Sequence, residues 1–343
     1  MRRPTFLLLV GILAGCLHSD LPEPGSTGLD GLFLDIEPLR LTYSPGPDRT
    51  PQWSRRAGWI LYAFDKGRLP SGATTGCVGE LPLGGGSRGA EYCETDPRFM
   101  GVPFLPDWPA QRQDGSLAFV RRRTGTNLGS PGALDFRNVP AGLGNEEILP
   151  IPFFAGGITH QGVSHINWLD DGHLLFIGQG IIRSRNENTE TGLDLLELEI
   201  ENGLAGVTVV PGTQYASSAT LGATADTIYY TIGGDSLVYR RVRSTGLVDT
   251  VVDFGGLGIA RDVGVEAGRL IAVVGGAVSF GPHPTFGMAQ HDFGGPIYMV
   301  ELPNGTPILV SFGLSTYRHP ALAPDGKQIV AEQFGDLWSI ALP

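Results

Sequence analysis

His165 and His319 each stand just ahead of a short apolar run, while His283, His291 and Asp292 fall together in the stretch GPHPTFGMAQHDFGG. Imidazoles beside a carboxylate suit a transition metal. These five residues are therefore the candidates for a metal centre, and through it for metal-assisted lyase or hydrolase chemistry. A second group is basic: Lys66, Arg68, Arg121, Arg122, Arg123, Arg183 and Arg185 lie in three connecting stretches of a chain whose formal net charge is −11. Gathered guanidinium groups recognise carboxylate, phosphate or acidic glycan. The acidic total repels a phosphate backbone, which excludes nucleic acid as a partner. A third group is the pair Cys77 and Cys93, which in an exported chain suggests a disulfide, with two buried free thiols as the alternative.

Signatures of catalysis are missing. The chain contains no G-x-S-x-G elbow, HExxH pair, Walker loop or dinucleotide glycine pattern. The glycine-rich Gly84–Gly89 has no lysine where a phosphate loop needs one, and reads as a turn between strands. No catalytic residue and no cofactor are assigned. The balance leans toward a binding protein.

The elements that position these residues follow from composition. The 343 residues include 51 glycines and 26 prolines, only 17% are charged, and 41% are hydrophobic. That is too few charges for a coiled coil and too many turn residues for long helices, so the chain reads as all-β. A frame of apolar strand, tight turn and apolar strand recurs. It is clearest in Ile166–Phe176 (INWLDDGHLLF) and in His319–Glu332 (HPALAPDGKQIVAE), and is repeated around Trp53, Gly115, Asp226 and Gly268. Taking Ala57, Gly115, Gly172, Asp226, Gly268 and Gly326 as matched turn positions, the spacings are 58, 57, 54, 42 and 58. Self-similar units of several strands at that period are propeller blades.

The turn and following strand resemble the TolB-type, WD-like propeller repeat, over about residues 31–343. The resemblance implies a six-bladed β-propeller of four-stranded antiparallel blades. The last blade would lack its outer strand at Pro343, and the segment Leu39–Tyr43 would supply it, removing an open sheet edge. TolB itself carries an extra N-terminal α/β domain, for which only a short polar stretch is available here. In such a ring the connections Asp65–Gly76, Arg121–Gly132, Gly178–Gly192 and Gly275–Gly295 form a loop face opposite the tight turns. Long loops in a compact domain often carry function. Thr50, Trp108, His165, Ala219, Arg261 and His319 start the inner strands at the channel mouth, with His165 and His319 across from one another. The expected ligand face is thus Trp108, Arg121, Arg122, Arg123, His165, Arg183, Arg185, Arg261 and His319. Trp53, Trp59, Trp168 and Trp338 are read as packing residues.

The N-terminus is an address. Met1-Arg2-Arg3 precedes an apolar run, Phe6–Ala14, that as a helix would span about 14 Å against roughly 30 Å of bilayer hydrocarbon. It suits a secretory signal peptide. Leu13-Ala14-Gly15-Cys16 resembles a bacterial lipobox, which implies acyl chains on Cys16 and an envelope location, in the outer membrane where the cell has two. The expected organisation is a lipoprotein signal peptide (1–15), a flexible tether (16–31) and the propeller (32–343). The expected role is a lipid-anchored, monomeric interaction module that contacts the membrane through its anchor and holds an envelope protein, peptide or glycan. The metal-assisted enzyme on an anionic polysaccharide is the alternative.

Overall fold

The computed structural model describes residues 37–44, 46–68, 74–93, 104–123, 132–137, 146–183, 189–275, 278–283, 287–292, 294–311 and 316–342. The segments expected to be a signal peptide and a tether, with Cys16, lie outside these residues, as does Arg185. Among the described residues no helix is long and apolar enough to cross a membrane.

The strands are β1 (Leu39–Arg40), β2 (Asp48–Trp53), β3 (Trp59–Arg68), β4 (Thr74–Pro82), β5 (Glu91–Cys93), β6 (Phe104–Gln111), β7 (Leu117–Arg123), β8 (Gly132–Arg137) and β9 (Glu146–Ile151). They continue with β10 (Phe153–Ala155), β11 (Ile158–Trp168), β12 (His173–Arg183), β13 (Thr189–Glu199), β14 (Val207–Gln214), β15 (Ala216–Leu221), β16 (Thr227–Ile232), β17 (Leu237–Val242) and β18 (Val248–Asp253). The last are β19 (Ala260–Glu266), β20 (Arg269–Val274), β21 (Val278–His283), β22 (Gly287–Asp292), β23 (Ile297–Glu301), β24 (Ile308–Leu309), β25 (Arg318–Leu322), β26 (Gln328–Gln333) and β27 (Asp336–Ala341).

These strands form an all-β propeller of antiparallel sheets. Four-stranded sheets are β2–β5, β6–β9, β15–β18, β19-β20-β23-β24 and β25-β26-β27-β1, while β10–β14 make a sheet of five. The six equal blades expected from the sequence are corrected to this unequal set. The fifth strand arises because Gly156 and Gly157, both at positive φ, turn the chain back after β10 so that β10 pairs with the start of β11. The hairpin β21–β22 interrupts the sheet containing β20 and β23.

Second strands read as continuous apolar runs rather than alternating ones. Ile60–Phe64, Leu174–Ile177 and Leu270–Val274 are buried on both sides, because each sheet is covered by a neighbour on each face. Apolar clusters fill the gaps between sheets. One joins Leu61 and Val78 to Leu117 and Phe119, a second joins Trp108 and Leu149 to Phe176 and Leu196, and a third joins Leu195 to Ile228 and Tyr230. Beyond these, Val238 and Phe254 pack on Leu270, and Ile271 and Met299 on Ile329 and Ile340. The last cluster sets Leu41, Tyr62 and Phe64 against Val330 and Leu337, so the final sheet packs on the first. There β1 pairs with β27, Leu39 opposite Ser339 and Arg40 opposite Trp338. Cys77 and Cys93 stand opposite each other in β4 and β5 and form a disulfide.

Candidate functional site

Inner strands β2, β6, β19 and β25 carry a bulge near the start and β11 carries one near its end, where the register against the second strand slips. The residue inside the bulge has left-handed backbone in five strands: Thr50, Trp108, His165, Asp262 and His319, with φ between 44° and 52° or so. Non-glycine residues adopt this conformation at a cost of about 1 kcal/mol or more, and such outliers cluster at functional sites. The positive φ turns these side chains toward one another at the axis. The sequence alignment that placed Arg261 in this set is corrected by one residue to Asp262, because the bulge falls between Arg261 and Gly264. Arg261 is buried and its guanidinium donates to the Gly275 and Gly294 carbonyls.

His165 and His319 are not held apart across the channel. The Trp108 ring lies 4.1 Å from the His165 ring and 4.6 Å from that of His319, centroid to centroid. Asp262 ties both histidines: its Oδ1 is 3.1 Å from His165 Nε2, and its Oδ2 accepts from the His319 backbone N–H at 3.1 Å. His165 Nδ1 sits 3.1 Å from Ser164 Oγ, and His319 Nδ1 sits 3.1 Å from Glu332 Oε2. Burial alone would raise the pKa of Asp262, but the hydrogen bond from His165 and the positive charge of the His319 ring hold it well below the carboxylate range. For His319, burial would lower the pKa. The hydrogen bond to Glu332 and the charge of Asp262 outweigh that and raise it to about 9, so the ring is an imidazolium at neutral pH.

This cluster is the inner end of a pocket of about 620 Å³ that runs along the first strands to the turns joining them to the second strands. Two residues on from the ring, the wall positions are Gln52, Ala110, Asn167, Leu221, Gly264 and Ala321. Three of these have no side chain beyond Cβ, which leaves the space, and two are amides. Asn167, a lining residue, spends its Nδ2 on the His165 and Ala219 carbonyls, which leaves Oδ1 as the acceptor it can offer a ligand. Trp53 and Trp168 line the pocket while their indole N–H groups bond the Ala321 and Ala110 carbonyls of neighbouring sheets.

The pocket therefore opens among the tight turns, and not on the long-loop face where the sequence reading set the mouth. The reason is the bulge, which brings the first residues of the inner strands together and leaves the later ones spread. Of the loop-face residues, Arg121 is 3% exposed in β7 and belongs to the interior. Arg122, Arg123 and Arg183 end β7 and β12, and His283, His291 and Asp292 lie on the β21–β22 hairpin, all with side chains outside the described set. Among the described residues no group of three or more His, Cys, Asp and Glu side chains is placed to hold a metal ion. The ring histidines are engaged by carboxylates, so the metal-assisted reading is not favoured. Asp262 was missed by the sequence reading, although its spacing of 57 to His319 matches the repeat.

No protein-family model and no curated protein sequence matches this chain. Solved structures do. A gluconolactonase from Xanthomonas campestris superposes with a TM-score of 0.57 at 11% identity, over 92% of this chain and 93% of its own. A Bacteroides thetaiotaomicron protein of unknown function gives 0.51 at 10% identity, over 89% and 72%. TolB from Acinetobacter baumannii gives 0.48 at 14% identity, over 84% and 64%. The chain spans less than half of an acylaminoacyl peptidase that it also matches, 46% of that chain. At these identities the likeness is one of fold. The fold is a β-propeller.

Proposed function

We propose that the chain is an interaction module of the bacterial cell envelope, held at a membrane by lipid on Cys16, that binds a partner in the axial pocket. One observation carries the reading: strained, mutually bonded side chains from separate sheets converge at the base of an open pocket of about 620 Å³. Pockets of ~300–1,000 Å³ with a few convergent polar groups are the usual form of a ligand site. The chain Ser164–His165–Asp262 joins a hydroxyl, an imidazole and a carboxylate, but Ser164 is buried and does not line the pocket, which supports binding over catalysis. We also infer that the five-stranded sheet is the sixth blade and that β1 closes the ring. The pairing of Leu39 with Ser339 and the burial of Leu41 against Leu337 support it.

The test is cross-linking in envelope preparations of the source cell, with wild type compared against Gln52→Ala and Asn167→Ala. Both variants should lose the captured partner, and capture at wild-type level by both would refute the pocket as the binding site. The anchor is checked separately. Cys16→Ser should abolish incorporation of labelled palmitate, and retained label would refute lipidation at this residue.

A further inference from the structure

We infer that the pocket takes the end of a neutral saccharide, with His319 Nε2–H donating to a ligand hydroxyl from the base and the Gln52 and Asn167 side chains bonding from the walls. The inference rests on the pocket being a binding site, as proposed above, and adds what it binds.

At the base, charge selects against ions of either sign, and the charged residues further out in the lining, Arg55 and Glu266, are of opposite sign. The group that meets a ligand at the base is a ring N–H donor: His319 is a fifth exposed, its Nδ1 is spent on Glu332, and Nε2 has no acceptor among the described residues. A cation meeting it would face an imidazolium. An anion would meet Asp262 and Glu332 close behind that single positive ring, with Asp107 beyond. A neutral oxygen accepts from the imidazolium without either penalty.

Polarity selects against an apolar ligand. The face of Trp108 is covered by His165 and its flank by His319, so the base offers no open hydrophobic plate. Beside Trp53, Trp168 and Leu221, the walls supply donors and acceptors together: the Gln52 amide, which makes no side-chain hydrogen bond among the described residues, and the Asn167 Oδ1. A hydroxyl both gives and accepts, so a polyol matches this mixture where a molecule with acceptors alone does not.

Backbone conformation selects against an extended peptide. A peptide would be held by main-chain bonds along the free edge of an inner strand. The left-handed residues Trp108, His165, Asp262 and His319 and the register slips beside them interrupt those edges where the pocket ends. No regular ladder is presented.

The test uses the purified full chain against a printed array of neutral and acidic oligosaccharides. Calorimetry follows with N,N′-diacetylchitobiose, maltose, digalacturonic acid and the capped tripeptide Ac-Gly-Ser-Gly-NH2. Neutral sugars should bind, the acidic sugar and peptide at least tenfold more weakly, and His319→Gln and Gln52→Ala should each lower sugar affinity tenfold or more. Phe334→Ser, at an exposed turn between β26 and β27, should change nothing. Gln52 lines an open wall, so its variant keeps the test decisive if His319→Gln fails to fold. Tighter binding of the peptide or the acidic sugar, lost in Gln52→Ala, would overturn the saccharide assignment and leave the pocket as a binding site. Absence of binding by every probe, or sugar binding indifferent to both pocket variants, would overturn the saccharide assignment and the pocket reading together.

Discussion

Asp262 holds its place through three polar contacts of different kinds, one to the His165 ring, one to the His319 backbone and one of charge to the His319 ring. Removing its charge strands both histidines, and breaking a buried ion pair by deleting one partner costs about 3–5 kcal/mol. Asp262→Asn should lower the stability from urea unfolding by an amount near the lower end of that range. His319 supplies a pH signature. Its pKa is raised from 6.5 to about 9, so its contribution is complete below the unfolded value and disappears as pH rises through the folded one. The melting temperatures of wild type and His319→Gln should differ most at pH 6 and converge above pH 9. A constant difference across that range would show that the ring is not charged. These contacts were partly legible beforehand: equivalent repeat positions marked Trp108, His165 and His319. Asp262 was not legible, because a one-residue bulge cannot be seen in a pattern of apolar residues.

At the level of elements, the sheets are sewn to one another by side chains that reach a neighbour's backbone. Arg55 Nε donates to the Gln111 carbonyl at 3.0 Å, and Arg269 Nη1 to that of Gly326 at 2.8 Å. Arg112 reaches the Asp171 carbonyl, and Trp168 Nε1 donates to the Ala110 carbonyl at 3.1 Å. Three of these use an arginine at or just past the turn after a first strand, none of them among the loop residues singled out in the sequence. Strand positions and turns could be read from apolar runs and Asp-Gly pairs. The partners of the arginines could not, because they lie on another repeat. Trp168→Phe keeps the ring volume and loses the N–H, so it should cost about 1 kcal/mol, typical for one hydrogen bond, measured by chemical denaturation. The extra strand β10 was equally hidden, since its hairpin depends on Gly156 and Gly157 in a segment with no turn signature of the repeat.

For the whole molecule, the packing of the first sheet on the last couples the stability of the two. Leu41, Val330 and Leu337 share one cluster, and Leu337 N donates to Thr42 Oγ1 at 2.9 Å. Leu41→Ala should cost about 2–5 kcal/mol and speed hydrogen exchange at the β27 amides and not only beside the mutation. An effect confined to β1 would show that the seam is independent of the rest. The Cys77–Cys93 bond closes a separation of 16 residues, and its removal by Cys93→Ser should cost ~3 kcal/mol on the chain-entropy argument.

The chain has only two lysines, one at the loop end of the strands and one at the tight-turn end. Lys66 is at the far end of β3, exposed and paired with Glu91, and Lys327 is exposed in the turn before β26. Amine-reactive coupling thus has two side-chain addresses, one beside the pocket opening and one on the face behind it. With Lys327→Arg, a surface-bound protein would be fixed with its pocket outward, and with Lys66→Arg it would be fixed pocket down, so a pair of sensor chips would read the two faces separately.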